Sequence, residues 1–145
     1  MEITVVATNR KAFHEYIILD QFEAGLQLKG SEVKSIREGK ASLKQAYILI
    51  RKGEAWLRGS HIASYSHTGF EGHEPVRDRK LLLHKKEIKR LIGLTSIKGN
   101  TLVAMKVYEK NGFIKVELAL GKGRKDYDKR KKLTEKQHKK DMKNY

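Results

Sequence analysis

The residues best suited to binding chemistry are basic side chains at the C-terminal end of the chain. The last 24 residues, 122–145, contain eleven Lys or Arg against four Asp or Glu, a net charge of +7. This segment therefore carries nearly half of the total charge of +15. Basic side chains that neutralise phosphates release condensed counterions, so this composition favours a nucleic acid partner.

The same segment is too polar to fold by itself. Its only aliphatic residues are Leu133 and Met142. Fixing the backbone costs roughly 1–2 kcal/mol per residue, and burial of two side chains cannot offset that cost. We predict a tail that is disordered in isolation and becomes ordered against a strongly negative partner.

The rest of the chain is basic as well, because residues 1–121 carry 21 basic and 13 acidic residues. An anionic membrane surface is the alternative partner, but no basic segment carries a matching apolar stripe. The longest apolar run is 46–50, the N-terminus has no signal-peptide pattern, and Cys is absent. We expect a cytoplasmic protein with no membrane contact and no disulfides.

No residue constellation indicates catalysis, a metal or a cofactor. His61, His67 and His73 are spaced by six, which fits no common metal-binding pattern. The glycines of the 121–125 run are not followed by a Ser/Thr-bearing helix, so the run is not a phosphate loop. We interpret it as a flexible basic hinge and predict that the protein is not an enzyme.

A second basic cluster, Arg77, Arg79 and Lys80, lies between a loop-like segment and the apolar run 81–83. Cationic heads beside a buried run are well placed to hold phosphates, so we predict RNA contacts here. A further group follows on the outer face of a predicted helix, where RNA binding and simple solvation stay equally open: Lys85, Lys86, Lys89 and Arg90.

Hydrophobic periodicity predicts the elements that position these residues. Alternation over 16–28 predicts a long strand in which Gly25 marks a bulge or a close approach. A short helix is expected from an N-cap at Ser31 to Gly39. Further strands are predicted over 43–52, over 55–57 after a turn at 52–54, and over 62–65, followed by a loop over 66–79.

The second half of the chain reads as a helix and a hairpin. The helix covers 84–92, with Ile88, Leu91 and Ile92 inward and Gly93 at its C-terminal end. Strands over 101–109 and 113–121 are joined by an Asn-Gly turn, and Lys115 and Glu117 should face away from the core. Six short strands with two or three helices predict a mainly β protein, a small OB-like antiparallel barrel over 1–121 followed by the tail 122–145.

Five segments, taken in order, resemble the SsrA-binding protein family. They are NRKAFHEY (9–16), FEAGLQLKGSEVKSIREGKASL (22–43), GEAWL with HIASY (53–65), RDRKLLLHKKEI (77–88) and GKGRKDYDKR (121–130). The resemblance implies binding to the tRNA-like domain of transfer-messenger RNA and its delivery to stalled ribosomes. In that process the protein replaces an anticodon arm, and its tail lies in the decoding centre and mRNA channel.

The resemblance also carries individual positions. Glu23, Leu82 and Lys115 match family positions implicated in transfer-messenger RNA binding, although Leu82 belongs to an apolar run and could be a core residue. Gly25, in the same FEAG motif as Glu23, is expected at this site as well. With the basic cluster of Arg77, Arg79 and Lys80 they form the expected RNA site. Positions expected at the decoding centre and mRNA channel are Lys122, Arg124, Lys125, Tyr127, Asp128, Lys129, Arg130, Lys132, Lys136, Met142 and Lys143.

Two features of the tail bear on this expectation. Asp141 stands where the family has an aliphatic residue before Met, which weakens that part of the match. The lysines at 129, 132, 136, 139 or 140, and 143 recur at helical spacing, so we predict a helix on the ribosome.

The implied partners are transfer-messenger RNA, small-subunit ribosomal RNA and elongation factor Tu within the delivery complex, with one protein monomer per RNA. A ribosomal or general OB-type RNA-binding protein remains the alternative, and a basic assembly protein for an acidic partner is a third hypothesis.

Overall fold

The computed structural model describes residues 3–64 and 73–124. Its strands are β1 Ile3–Thr8, β2 Tyr16–Leu26, β3 Ala41–Ser42, β4 Tyr47–Arg51, β5 Glu54–Arg58, β6 His61–Ile62, β7 Arg79–Leu82, β8 Asn100–Lys110 and β9 Phe113–Gly123. Its helices are α1 Arg10–Glu15, α2 Gly30–Arg37 and α3 Lys85–Thr95. The mainly β class predicted from the sequence is confirmed. No helix in the described part of the chain is long and apolar enough to span a membrane.

The main sheet is antiparallel and closes on itself. Its strand order is β1-β8-β4-β5-β7-β2-β9, and β8 also pairs with β9. The circuit β8-β4-β5-β7-β2-β9 is therefore a six-stranded barrel, with β1 paired to the remaining length of β8. Closure removes most of the free sheet edge, which otherwise invites association. The small antiparallel barrel expected from the sequence is present.

The longest hairpin, β8–β9, forms as the Asn-Gly pair predicts. Asn111 and Gly112 have φ values of 52° and 82°. Positive φ at both central residues gives a turn whose twist matches the strands it joins. On β9, Val116, Leu118 and Leu120 are buried, whereas Lys115 and Glu117 are partly exposed. The hairpin therefore presents its charged residues outward.

Strand β2 differs from its prediction at one point. Its register with β9 shifts between Ile18 and Asp20, so the bulge lies there rather than at Gly25. Gly25 instead marks a close approach, because a Cβ atom at this position would lie 3.2 Å from Cβ of Leu82.

Helix boundaries were predicted less well than helix positions. Helix α2 has its N-cap at Lys29, not Ser31, because the Glu32 carboxylate accepts the Lys29 backbone N–H at 2.8 Å. Helix α3 passes through Gly93 to a C-cap at Ser96. Ile92 is 46% exposed, so its predicted inward position is wrong.

Three strand predictions also require correction. Residues 43–46 form a turn, closed by the Ala46 N–H donating to the Leu43 carbonyl at 2.9 Å, so β4 is shorter than expected. Strand β6 ends at Ile62. Strand β9 continues to Gly123, with Lys122 paired to Ile17 and Asn100. The start of the 121–125 run is thus sheet rather than hinge.

Candidate nucleic-acid interface

One row of residues crosses five strands on the outside of the barrel. In the strand register, Val5 of β1 lies opposite Tyr108 of β8, and Tyr108 lies opposite Lys115 of β9. Lys115 lies opposite Gly25 of β2, which lies opposite Leu82 of β7. Three residues that the sequence singled out separately are therefore neighbours. We call this row, together with Glu23, the outer face.

Leu82 is a surface residue. It is 53% exposed, although its neighbour Leu81 is only 1% exposed. The side chain extends over Gly25, whose missing Cβ leaves room for it. The sequence left open whether Leu82 is a core residue. Strand alternation in β7 settles this, because only every second residue of the strand faces the core.

Glu23 lies on β2 two residues before Gly25, and therefore on the same side of the strand. Its carboxylate accepts a hydrogen bond from the Tyr108 hydroxyl and lies 3.3 Å from Nζ of Lys110. The Tyr108 hydrogen bond lowers the pKa of Glu23; partial burial opposes this effect, and Lys110 adds to it. Glu23 thus presents an ionised acceptor on a basic protein.

Tyr108 is the complementary donor. It is 8% exposed, and burial, followed by the hydrogen bond to Glu23, raises the pKa of its hydroxyl well above the usual value. The hydroxyl stays protonated and continues to donate at any physiological pH.

A groove of about 330 Å³ borders this pair. Its lining combines aliphatic and aromatic residues with two glutamates, one glutamine and one lysine. The lining residues are Ile3, Val5, Gln21, Phe22, Glu23, Lys106, Tyr108 and Glu117. A surface with an apolar wall and several acceptors suits an unstacked base or a ribose hydroxyl better than a phosphate.

An exposed aromatic ring adjoins the other side of Lys115. Phe113 is 69% exposed, and Nζ of Lys115 lies 6.0 Å from its ring centroid. Sequence reasoning did not single out Phe113 or Tyr108. The signal was available, however, because the Asn-Gly turn fixes the β8–β9 register and so places Tyr108 beside Lys115.

Arg79 is placed differently from its prediction as a phosphate contact. Its side chain is completely buried and forms a salt bridge with Glu32, which is also completely buried. Its guanidinium also donates to Ser60 Oγ at 2.9 Å and to the Pro75 carbonyl at 3.0 Å. The expected RNA contact by Arg79 is wrong, because its donors are occupied inside the protein.

Arg77 and Lys80, the other two members of the basic cluster, are partly available for contacts with RNA. Arg77 also binds Glu32, and only 26% of its side chain is exposed. Lys80 forms a half-exposed ion pair with Glu54 at 3.2 Å. Solvent screens such a pair, and a phosphate can displace its carboxylate. Lys80 therefore remains a candidate contact at the edge of the outer face.

The basic residues of α3 divide into two groups. Lys85, Lys86 and Lys89 are exposed. Arg90 is exposed as well, but it also contacts Asp20 at 3.1 Å and lies 5.3 Å from the ring centroid of Phe22. Arg90 thus fastens the helix to β2, which is a structural role that the sequence reading did not separate from solvation.

The histidines do not form a metal site in the described part of the chain. His73 is buried, with Nδ1 2.8 Å from Ser31 Oγ and Nε2 2.9 Å from the Ile62 carbonyl. Because a carbonyl only accepts, Nε2 must carry the proton, and Nδ1 then accepts from Ser31. His61 is exposed, and His67 lies outside the described residues. No three metal-ligating side chains cluster within residues 3–64 and 73–124.

Most of the expected decoding-centre residues lie beyond the described range. Lys122 lies in β9, and Arg124 is exposed directly after it. Those outside the described residues are Lys125, Tyr127, Asp128, Lys129, Arg130, Lys132, Lys136, Met142 and Lys143. Their roles remain predictions.

Comparison with known proteins agrees with this arrangement. A family model described as SmpB protein matches residues 6–145. A protein named SsrA-binding protein from Sulfurihydrogenibium sp. (strain YO3AOP1) is 53% identical over 142 residues, which cover 98% of this chain and 93% of that protein. A protein of the same name from Nocardia farcinica (strain IFM 10152) is 55% identical over 129 residues, covering 89% and 81% of the two chains.

A solved structure is similar as well. It is described as "tmRNA-SmpB: a journey to the center of the bacterial ribosome" and aligns with a TM-score of 0.67 at 44% identity, covering 80% of this chain and 82% of that one. Because the family model matches nearly the whole chain and close relatives match at about half of all positions, the chain belongs to the SmpB protein family.

Proposed function

We propose that this protein binds the tRNA-like domain of transfer-messenger RNA and delivers it to stalled ribosomes for rescue by trans-translation. The observation that carries the proposal is the outer face, on which Glu23, Gly25, Leu82 and Lys115 meet although they lie on three different strands. Membership of the SmpB family supports it, as do relatives named SsrA-binding protein and a similar structure described as tmRNA-SmpB in the ribosome.

The chemistry of the outer face suits a folded RNA. Lys115 supplies a cation that can contact a phosphate, whereas Glu23 can only accept hydrogen bonds and therefore selects bases or ribose hydroxyls. Exposed Leu82 and Phe113 offer apolar and aromatic contact area for unstacked bases. This mixture discriminates shape and base edges and does not rely on charge alone.

The tail extends the proposal to the ribosome. Strand β9 ends at Gly123, so the basic segment leaves the barrel at the end of β9 opposite to Lys115. Gly123 is the eighth residue after Lys115 along the extended strand, roughly 26 Å away at about 3.3 Å per residue. The two RNA contacts can therefore be made at the same time. We propose that the tail occupies the decoding centre and mRNA channel, with elongation factor Tu in the delivery complex and one protein per RNA.

The identity of the bound RNA tests this function directly. A tagged copy should be purified from its native cell and the co-purifying RNA sequenced. One abundant structured RNA that carries a tRNA-like domain supports the proposal. Recovery of ribosomal RNA alone would favour a general ribosomal protein, and absence of RNA would favour a protein partner.

Point variants test the site. Glu23→Ala, Lys115→Ala and Leu82→Ala should each weaken binding to the tRNA-like domain and leave the protein folded. Lys115→Ala and Leu82→Ala should keep the wild-type unfolding temperature because their side chains face outward. Glu23→Ala should lower it somewhat, because the Tyr108 hydroxyl loses its acceptor. The matched controls are Glu15→Ala for Glu23→Ala and Lys98→Ala for Lys115→Ala. Each removes a charge of the same sign from an exposed position outside the outer face. If the controls weaken binding as much as the site variants, the interaction depends on net charge and the outer face is not the site.

A further inference from the structure

We infer that Tyr108 is a positioning residue for RNA recognition: its hydroxyl holds the Glu23 carboxylate in the orientation that reads a donor group of the RNA. This inference rests on the proposed function. Tyr108 lies on β8, two strands away from Glu23 on β2, with β9 between them. Its hydroxyl reaches across β9 to one carboxylate oxygen.

The geometry suits positioning better than direct contact. Tyr108 is 8% exposed and its only hydroxyl proton is donated to Glu23, so the residue has little to offer a ligand directly. The side chain of Glu23 is 40% exposed, however, and a carboxylate has about four acceptor positions. Glu23 can therefore keep the Tyr108 hydrogen bond and accept a second donor from outside.

Glu23 needs such support because the charges around it, which include attraction by Lys110 and Lys115, do not fix its orientation. The directly paired residue on β9 is Glu117, and like charges opposite each other repel. Lys110 contributes an attraction at 3.3–3.5 Å, but its long side chain is flexible and its ammonium binds without directional preference. The tyrosine hydroxyl, mounted on a rigid ring, is the directional restraint. A glutamate that loses it has several rotamers available and must be ordered again when RNA binds.

The test is a thermodynamic cycle in the full-length protein with the tRNA-like domain of transfer-messenger RNA as the probe. Tyr108→Phe removes only the hydroxyl. We expect it to weaken RNA binding by roughly 3- to 10-fold, which corresponds to the net contribution of one typical hydrogen bond. In a Glu23→Ala background the same substitution should have no further effect, because Tyr108 acts through Glu23. Tyr47→Phe, at a 45% exposed tyrosine outside the outer face, is the matched control and should bind as the wild type does.

A readout on the free protein separates this inference from the proposed function. Carbon-detected NMR titration should show the pKa of Glu23 rising in Tyr108→Phe relative to wild type, with RNA absent. The same pKa of Glu23 in wild type and in Tyr108→Phe would overturn the inference. Equal RNA binding by Tyr108→Phe and wild type would also overturn it, as would additive losses in the double variant. Failure of the wild type to bind the RNA would instead refute the proposed function. The NMR titration would then still show whether the Tyr108 hydroxyl restrains the Glu23 carboxylate.

Discussion

Arg79 and Glu32 form a salt bridge in which both side chains are completely buried, with Nε 2.5 Å from Oε2. The pair joins strand β7 to helix α2. Arg79 also donates to the carbonyls of Ser60 and Pro75, and so connects the residue before β6 to the chain that leads into β7. A cationic residue that resembles an RNA contact in the sequence is therefore part of the framework behind the interface.

Removing Arg79 should unfold the barrel more readily and should not selectively impair RNA binding. Arg79→Met leaves the Glu32 charge buried with only Arg77 to compensate it, and breaking a buried pair costs about 3–5 kcal/mol. Urea denaturation followed by circular dichroism measures the free energy of unfolding. The control Lys80→Met breaks a half-exposed ion pair and should cost less than about 1 kcal/mol. An Arg79→Met protein of wild-type stability that no longer binds RNA would contradict this role.

Stability should fall in acid as Glu32 is protonated. Burial raises the pKa of Glu32, but hydrogen bonds from Arg77, from the Lys29 backbone and from Arg79 outweigh it, and the pKa lies below the usual 4.5. A group with a depressed folded-state pKa stabilises the protein above its unfolded pKa and loses that contribution as the pH falls through the folded value. We expect the free energy of unfolding to decline progressively below about pH 4.5.

The matched comparison for this effect is Glu54→Gln, which removes a carboxylate from a half-exposed ion pair that solvent screens. Direct NMR titration of Glu32 gives the decisive value. A midpoint at or above 4.5 would mean that the buried pair does not favour the ionised carboxylate.

Gly25 should tolerate Ala for folding but less well for binding. A Cβ at this position would lie 3.2 Å from Cβ and 3.4 Å from Cδ1 of Leu82. The Leu82 side chain is exposed, but its Cβ must move slightly with the β7 backbone, so we expect Gly25→Ala to cost about 1 kcal/mol, at the low end of overpacking penalties. The shift moves Leu82 on the outer face, and RNA affinity should fall. Gly25→Val adds a larger side chain and should lower RNA affinity further.

The control for this series is Gly93→Ala in α3, where an added Cβ meets nothing within 4 Å. It should keep RNA affinity and can stabilise the helix by up to about 1 kcal/mol. Isothermal titration calorimetry with the tRNA-like domain and thermal unfolding separate the two effects. Unchanged affinity in Gly25→Val would show that the position of Leu82 does not matter for binding.

The sequence predicted local features with strong signals and missed those set by tertiary contacts. The Asn111-Gly112 turn and the alternation on β9 depend on backbone preference and periodicity, and both are present. The N-cap of α2 was wrongly assigned to Ser31. The Glu32 carboxylate accepts the backbone N–H of Lys29 and so places the N-cap there, while the Ser31 hydroxyl binds the distant His73. No local pattern reveals such a partner.

The candidate site shows the same division. The outward positions of Glu23 and Lys115 followed from strand alternation, and their proximity follows from the β2–β9 register. The burial of Arg79 did not follow from the sequence, because a charged side chain is completely buried only where a partner from another element compensates its charge. The family resemblance named residues that meet on the outer face, whereas the reading of Arg77 and Arg79 as a phosphate cluster rested on charge alone.

Truncation should separate RNA binding from ribosome rescue. The strand pairing requires the cut to follow Gly123, because Lys122 and Gly123 still pair with β2. A protein ending at Gly123 should keep most of its affinity for the tRNA-like domain but fail to support tagging of stalled nascent chains in a reconstituted translation system. A cut after Gly121 should also lower stability. Tagging by the protein that ends at Gly123 would show that the tail is dispensable.

The tail should act as a helix on the ribosome. Residues 129–145 contain no Pro or Gly, Glu135 and Lys139 form a favourable i,i+4 pair, and the lysines at 129, 132, 136 and 143 share one side of a helix. Their mutual repulsion opposes the helix in solution, and ribosomal phosphates cancel that repulsion. Glu135→Pro, which costs about 3 kcal/mol in a helix interior, should impair tagging and leave binding to the tRNA-like domain intact. The control Glu135→Ala removes the same charge and keeps the helix, so it should retain most tagging. Full tagging by the proline variant would show that the tail works through charge without helical structure.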